Sequence, residues 1–206
     1  MYFRQADKED LVKVTELLAE SFLDYPLFCV IEENQEKRYS LVYELQYINT
    51  KLYIAKHQCF VVMDDRKLIG AALLKDLQKD HKDFWSYIYL GFFRLLKKGL
   101  MVKAIQYLKL MNGTSVFSQQ ENAWYLDSFA VSKTAQGLGL GSEILQCVIF
   151  SYIKEHGGGQ LFLSTNTEWN RKFYQKNGFD EYKETELTLN EHSVKDWSYR
   201  KKIPGK

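Results

Sequence analysis

Three glycines at alternate positions, Gly137, Gly139 and Gly141 in the run QGLGLGSEILQ (136–146), stand between the strand-like stretch WYLDSFAV (124–131) and a segment of helical periodicity. Glycine serves where the backbone must take unusual dihedral angles or let something approach closely. A glycine turn that opens a helix also aims unpaired N–H groups and the positive end of the helix dipole at one point. That arrangement suits an anion, most often a phosphate. A tight turn without a ligand needs one or two glycines, so three favour the cradle. The spacing excludes two phosphate ligands. A dinucleotide fingerprint, G-x-G-x-x-G, would require glycine where Ile144 or Ser142 stands, and a Walker loop would require lysine directly after Gly141. The run does match Q-x-x-G-x-G, as Gln136, Gly139 and Gly141.

Two further side chains could move protons. Asp127 lies inside the apolar stretch, where a carboxylate is costly unless paired or used. Strand alternation puts it on one face with Tyr125 and Phe129. A structural carboxylate that caps a backbone group or pairs with a lysine fits the same pattern. Tyr174, in NTEWNRKFYQKNGF (166–179), follows Asn170 by one helical turn, so the two share a face. A core aromatic beside Phe173 is the plain alternative. Glu168 and Glu121 are other carboxylates available as a base. Lys133, Arg171 and Lys172 flank these segments and could meet phosphate or simply solubilise the surface.

The elements that must position these groups can be read from periodicity. YFRQA (2–6) reads as a strand, and Asp7 caps a helix over about 8–22 with Leu11, Val14, Leu17, Leu18 and Phe22 on one face. A second helix covers about 35–56. Residues 59–75 form a hairpin around Asp64, Asp65, Arg66 and Lys67. A strand over 124–131 leads through the glycine turn to a helix over about 140–155, which Gly157, Gly158 and Gly159 stop. QLFLST (160–165) is a strand, a helix carrying Trp169, Phe173 and Tyr174 ends at Gly178, and two strands close the chain. This order predicts one mixed α/β domain over 1–206, without internal repeats, interrupted by a helical insert at about 78–115.

Bulk properties narrow the class. The chain has 206 residues, enough for one domain. A domain in this size range buries roughly 70% of its unfolded surface. A net charge of +2 gives no indication of nucleic acid. Cys29, Cys59 and Cys147 sit singly in apolar segments and read as buried thiols of a reducing compartment, with no disulfide frame. Neither they nor the scattered histidines have metal-ligand spacing, so no metal is expected. The N-terminal MYFRQADKED lacks the apolar core of a signal peptide, which makes the cytoplasm the expected location. The aromatic run FWSYIYLGFFRLL (84–96) is too short for a bilayer, which needs about 20 residues. It reads as a core helix, a hydrophobic lid or a basic amphipathic surface segment.

The strand–Q-x-x-G-x-G–helix unit resembles the acyl-CoA motif of the GNAT acyltransferase superfamily. Asn170, Phe173, Tyr174, Gly178 and Phe179 are similar to that family's next motif, N-x-x-F-Y-x-x-x-G-F. The motif strand resembles diamine N-acetyltransferases, and the general layout looks like puromycin N-acetyltransferase-type proteins. The resemblance implies a central, mostly antiparallel mixed sheet of about seven strands flanked by helices. It implies acetyl-CoA as co-substrate, its pyrophosphate held by the backbone of Gln136, Gly137, Leu138, Gly139, Leu140, Gly141 and Ser142. Its pantetheine arm would pair with the backbone of Phe129, Ala130 and Val131, with Asn170 and Phe173 also contributing to coenzyme binding.

On that basis Tyr174 is the candidate general acid, because a phenol of pKa near 10 is matched to a leaving alkyl thiolate. Asp127 is the candidate base, and it falls where diamine-acetylating relatives carry a glutamate. A strand amide near Phe129 would stabilise the developing oxyanion. The expected reaction is acetyl transfer to the amine of a small molecule. The insert 84–111, apolar and poor in carboxylates, suggests an aromatic or hydrophobic amine. A protein N-terminus or lysine as acceptor, a non-catalytic acetyl-CoA sensor and a membrane-surface protein are the competing readings. The chain is expected as a monomer or homodimer.

Overall fold

The structure is a computed structural model that describes residues 1–78, 91–112 and 122–206. Seven strands form one sheet: β1 (Tyr2–Gln5), β2 (Cys59–Asp64), β3 (Lys67–Asp76), β4 (Ala123–Val131), β5 (Gly159–Thr165), β6 (Asp180–Leu189) and β7 (His192–Ile203). Their order is β1-β2-β3-β4-β5-β7-β6, and every neighbouring pair is antiparallel except β4 and β5. The mixed, mostly antiparallel sheet that the resemblance implies is therefore present.

The helices are α1 (Leu11–Phe22), α2 (Pro26–Ile31), α3 (Gln35–Ala55), α4 (Met101–Asn112), α5 and α6 (Glu168–Lys176), with a further helical stretch over 91–97. Helix α5 begins at Leu140–Ile144, widens into a π turn over Leu145–Phe150 and ends at Ser151–Glu155. Asp7 does cap the entry to α1. Its carboxylate accepts the Glu9 N–H at 2.8 Å, and the Asp10 carboxylate accepts the Asp7 N–H at 2.9 Å. The two orphan donors of the helix start are thus satisfied reciprocally.

Alternation along the strands divides the core between the two faces of the sheet. Phe60, Val62, Leu126, Leu161 and Trp197 face α5 and α6. Val61, Ala71, Leu73 and Ala130 face α1 and α3. Helices α2, α3 and α4 extend that second layer over Leu187 of β6.

One helix is unexpected, and two expectations need correction. The segment Pro26–Ile31 is helical, with Pro26 at the first turn where its missing N–H costs nothing. Of the cysteines only Cys59 is buried; Cys147 is exposed because it sits on the outer side of the π turn, and Cys29 is intermediate. The second correction concerns the face on which Asp127 lies. Much of the aromatic run, and Glu121, lie outside the described residues. In its described part the insert is two helical pieces separated at Gly99, which has φ of 68°.

Candidate active site

Strand β4 is pinned to β3 along its whole length but to β5 only at Ala123, Trp124 and Tyr125. Beyond Tyr125 the two strands part, and the β5-facing edge of β4 is left open. Register identifies the groups on that edge. The Ser132 N–H bonds to the Ile69 carbonyl at 2.9 Å. Antiparallel alternation therefore commits Ala130 and Ser128 to β3 as well. The N–H and C=O of Phe129 and Val131 then point into the gap. Gln136 Nε2 donates to the Val131 carbonyl at 2.8 Å. The Phe129 N–H, Phe129 C=O and Val131 N–H remain for a ligand.

The glycine turn closes one end of this gap. Gly137 and Gly139 have φ of 80° and 81°, a region that glycine alone enters without strain. A side chain at either would meet open space, whereas a Cβ at Gly141 would lie 3.2 Å from the Phe173 ring. Gly137 and Gly139 are therefore set by backbone conformation, and Gly141 by close packing against α6. No acceptor among the described residues takes the N–H groups of Gly137 through Gly141, while those of Ser142 and Glu143 already bond to the Gly139 carbonyl. A concave run of unpaired amides at a helix start fits a pyrophosphate. Ser142 and the buried Leu140 thus support the turn, and the Leu138 side chain is exposed to solvent.

A β-bulge between Leu126 and Ser128 places Asp127 as the extra residue of β4. The expected shared face with Phe129 is consequently lost. Phe129 packs on the α5 side, with its ring 6.3 Å from that of Phe173, while Asp127 turns toward α3 and α4. There Asn49 Nδ2 donates to Asp127 Oδ2 at 3.1 Å, and Ser128 Oγ donates to the same oxygen at 3.3 Å. Desolvation pushes the Asp127 carboxyl up to about 6, against the opposing pull of Lys75 and the Ser128 hydroxyl. In turn Asp127 helps hold the phenols of Tyr125 and Tyr107 above their ordinary range, where burial is the main cause.

Tyr174 is buried on α6 among Phe173, Phe179 and Tyr199. Burial raises its phenol well above the ordinary value, so it stays protonated but is a weaker acid than the free phenol matched to an alkyl thiolate. Its hydroxyl makes no hydrogen bond among the described residues. Asn170 is already engaged, donating to Thr165 Oγ1 at 3.1 Å, and Thr165 is joined to the Tyr25 hydroxyl at 2.6 Å. Tyr25 also accepts the Asn166 N–H at 2.9 Å. This cluster fixes the end of β5 where it diverges from β4.

Other sequence candidates fall away from the gap. Arg171 is held by both carboxylate oxygens of Glu181, at 2.9 and 3.0 Å, and pairs with Glu168. Lys133 and Lys172 are exposed. Asn49, Tyr25, Tyr107 and Asp196 were not anticipated. Each approaches from a distant element, and Tyr25 is the residue directly before α2.

A family model described as Acetyltransferase (GNAT) family matches residues 12–179, and the chain belongs to that family. Its members transfer acetyl groups with acetyl-CoA as co-substrate. Similar solved structures include an N-acetyltransferase from Staphylococcus aureus Mu50, 17% identical, covering 96% of this chain and 100% of that one at a TM-score of 0.61. A histone acetyltransferase HPA2 and related acetyltransferase from Corynebacterium glutamicum is 17% identical, covering 99% and 96% at 0.60. A polyamine N-acetyltransferase from Drosophila melanogaster is 14% identical, covering 98% and 99% at 0.55. At these identities the likeness is one of fold. No curated protein matches the chain in sequence. Among the described residues, no helix is long and apolar enough to cross a membrane.

Proposed function

We propose that this protein is an acetyl-CoA-dependent N-acetyltransferase of a small amine. The observation that carries the reading is the gap between β4 and β5. Along it lie the Phe129 amide and the unpaired amides of the glycine turn. The amides of Gly137 through Gly141 would hold the pyrophosphate, and Phe129 and Val131 would pair with the pantetheine arm.

Amide formation from a thioester needs a neutral amine, an oxyanion donor and a proton for the thiolate, with both reactants held in line. The Phe129 N–H is fixed in the strand and points into the gap, so it stabilises charge as that charge appears. Tyr174 donates the proton to the departing sulfur. Asp127, ionised above about pH 6, takes a proton from the incoming ammonium, directly or through water.

Thermal unfolding tests the coenzyme half of this reading. Acetyl-CoA at about 100 times its dissociation constant adds roughly 2.7 kcal/mol, a rise of several degrees for a chain of this size. NADH and ATP at the same concentration should give no comparable rise. A panel of amines, followed by release of the coenzyme A thiol, tests the rest. Acetylation confined to peptide N-termini or lysines would replace the small-amine reading, and binding without turnover would make the protein a sensor.

A further inference from the structure

We propose that the acceptor is an aliphatic amine carrying a second positive charge, and that Asp196 holds that second ammonium. The inference rests on the reading of Asp127 as the acceptor-side base.

Asp196 lies on β7, 2% exposed. Its Oδ1 accepts from Asn166 Nδ2 at 3.1 Å, but Oδ2 is buried without a hydrogen-bond partner. Ser164, Ser198 and Lys183 lie near enough to ease its ionisation without bonding to that oxygen in ordinary geometry. Among the described residues, neither Asp127 nor Asp196 has an ion-pair partner within 4.0 Å. Lys75 and Lys183 ease the two charges only from beyond ion-pair distance, and recessed carboxylates without a contacting cation are costly.

Asp196 joins the diverging end of β5 through Asn166, which donates its side chain to Asp196 and its N–H to the Tyr25 hydroxyl beside Thr165. Both acids act on the phenol of Tyr125, Asp127 acts on Tyr107, and Asp196 acts on Tyr25. Orphaned oxygens continue along the helices that face Asp127. Gln46 Oε1 lies one turn before Asn49 on α3, and Gln106 Oε1 precedes Tyr107 on α4; both are buried without a partner. Each of these oxygens can accept one further donor. An ammonium supplies three N–H groups and a charge, and a molecule with two ammonium groups answers both carboxylates. The aromatic or hydrophobic amine suggested by segment 84–111 would leave Asp196 unpaired.

The test compares initial rates, at saturating acetyl-CoA, for straight-chain diamines of three to six carbons. Each is set against the monoamine and the amino alcohol of equal length, with phenethylamine as the aromatic control. At least one diamine should exceed its matched monoamine in kcat/KM by roughly tenfold to a hundredfold, the effect of a hydrogen bond to a charged group. In Asp196→Asn, checked for a native-like melting curve, that ratio should fall toward one. The wild-type ratio is decisive even where the variant fails to fold. Equal kcat/KM for diamines and monoamines overturns the inference and leaves the proposed function standing, as does a ratio unchanged in folded Asp196→Asn. Absence of acetylation of every amine, with no thermal shift by acetyl-CoA, overturns both.

Discussion

Replacing Asp127 with asparagine should stabilise the protein at pH 8 while abolishing most of its activity. The wild-type carboxyl is raised from 3.8 to about 6 by desolvation. A group protonated more readily when folded binds more protons in the native state, so stability falls as pH rises through the interval between the two values. Below pH 3.8 the penalty is absent; above pH 6 it is complete. Taken at about 1.36 kcal/mol per pH unit, the penalty is about 3 kcal/mol at pH 8 and about 1 kcal/mol at pH 4.5. Asp127 keeps a partly open edge, and this reduces the expected difference between the two conditions to about 1–2 kcal/mol. Asparagine retains an acceptor for Asn49 Nδ2 and carries no charge. Denaturant unfolding of wild type and variant at both pH values gives a double difference in which other titrations cancel. The variant should gain about 1–2 kcal/mol relative to wild type between pH 4.5 and pH 8. Its kcat/KM should drop by about a hundredfold or more, and the acid limb near pH 6 should vanish from the profile. A double difference near zero would refute the claim that burial at the bulge raises this carboxyl. An intact acid limb in the variant would refute its role as base.

Tyr174→Phe should lower kcat by about a hundredfold or more with little change in acetyl-CoA affinity, read by single-turnover rates and calorimetry. It should barely alter the melting temperature, because the hydroxyl has no described partner to lose. Gly139→Ala forces a Cβ into a backbone of φ 81°. That left-handed conformation should cost about 1–2 kcal/mol in denaturant unfolding. The same substitution should weaken acetyl-CoA binding, measured as loss of the ligand-induced thermal shift. Tyr25→Phe strips the Asn166 N–H of its acceptor. An unsatisfied buried donor should destabilise by about 1–3 kcal/mol at constant pH, read from the shift in denaturant midpoint.

Local signals carried much of the fold. The hairpin of β2 and β3, the cap at Asp7 and the strand–glycine–helix unit each depend on contacts within a few residues, and all are present in the structure. Helix α2 was marked by Pro26 alone, and a single turn of apolar residues has no period to detect. The π turn in α5 has no sequence signature because Leu145–Phe150 is as apolar as an ordinary helix would be. Within the site, the glycine conformations were legible because only glycine adopts them readily at 137 and 139. The Asp127 bulge was not. LDS contains no glycine or proline to announce an extra residue, and simple alternation therefore put Asp127 beside Phe129. Asn49, Tyr107 and Asp196 meet Asp127 or its neighbours only through the packing of α3, α4 and β7, which no local pattern encodes.

The misplaced register is also what gives the site its sense. Without the bulge, Asp127 and Phe129 would share a face and compete for the same space. With it, Phe129 keeps its ring against Phe173, its amide in the gap, and Asp127 turns to the opposite side of the sheet. The proposed reaction requires this division. A proton must leave the amine on the acceptor side, and a proton must reach the sulfur on the coenzyme side, while the carbonyl between them develops charge. Asp127 belongs to the α3 and α4 layer, Tyr174 to the α5 and α6 layer, and the Phe129 N–H lies in the sheet that separates them. In the proposed mechanism, one extra residue in β4 therefore sets base and acid on opposite faces of a single fixed amide. Deleting that residue should restore plain alternation and remove the base from the acceptor side even if the fold survives.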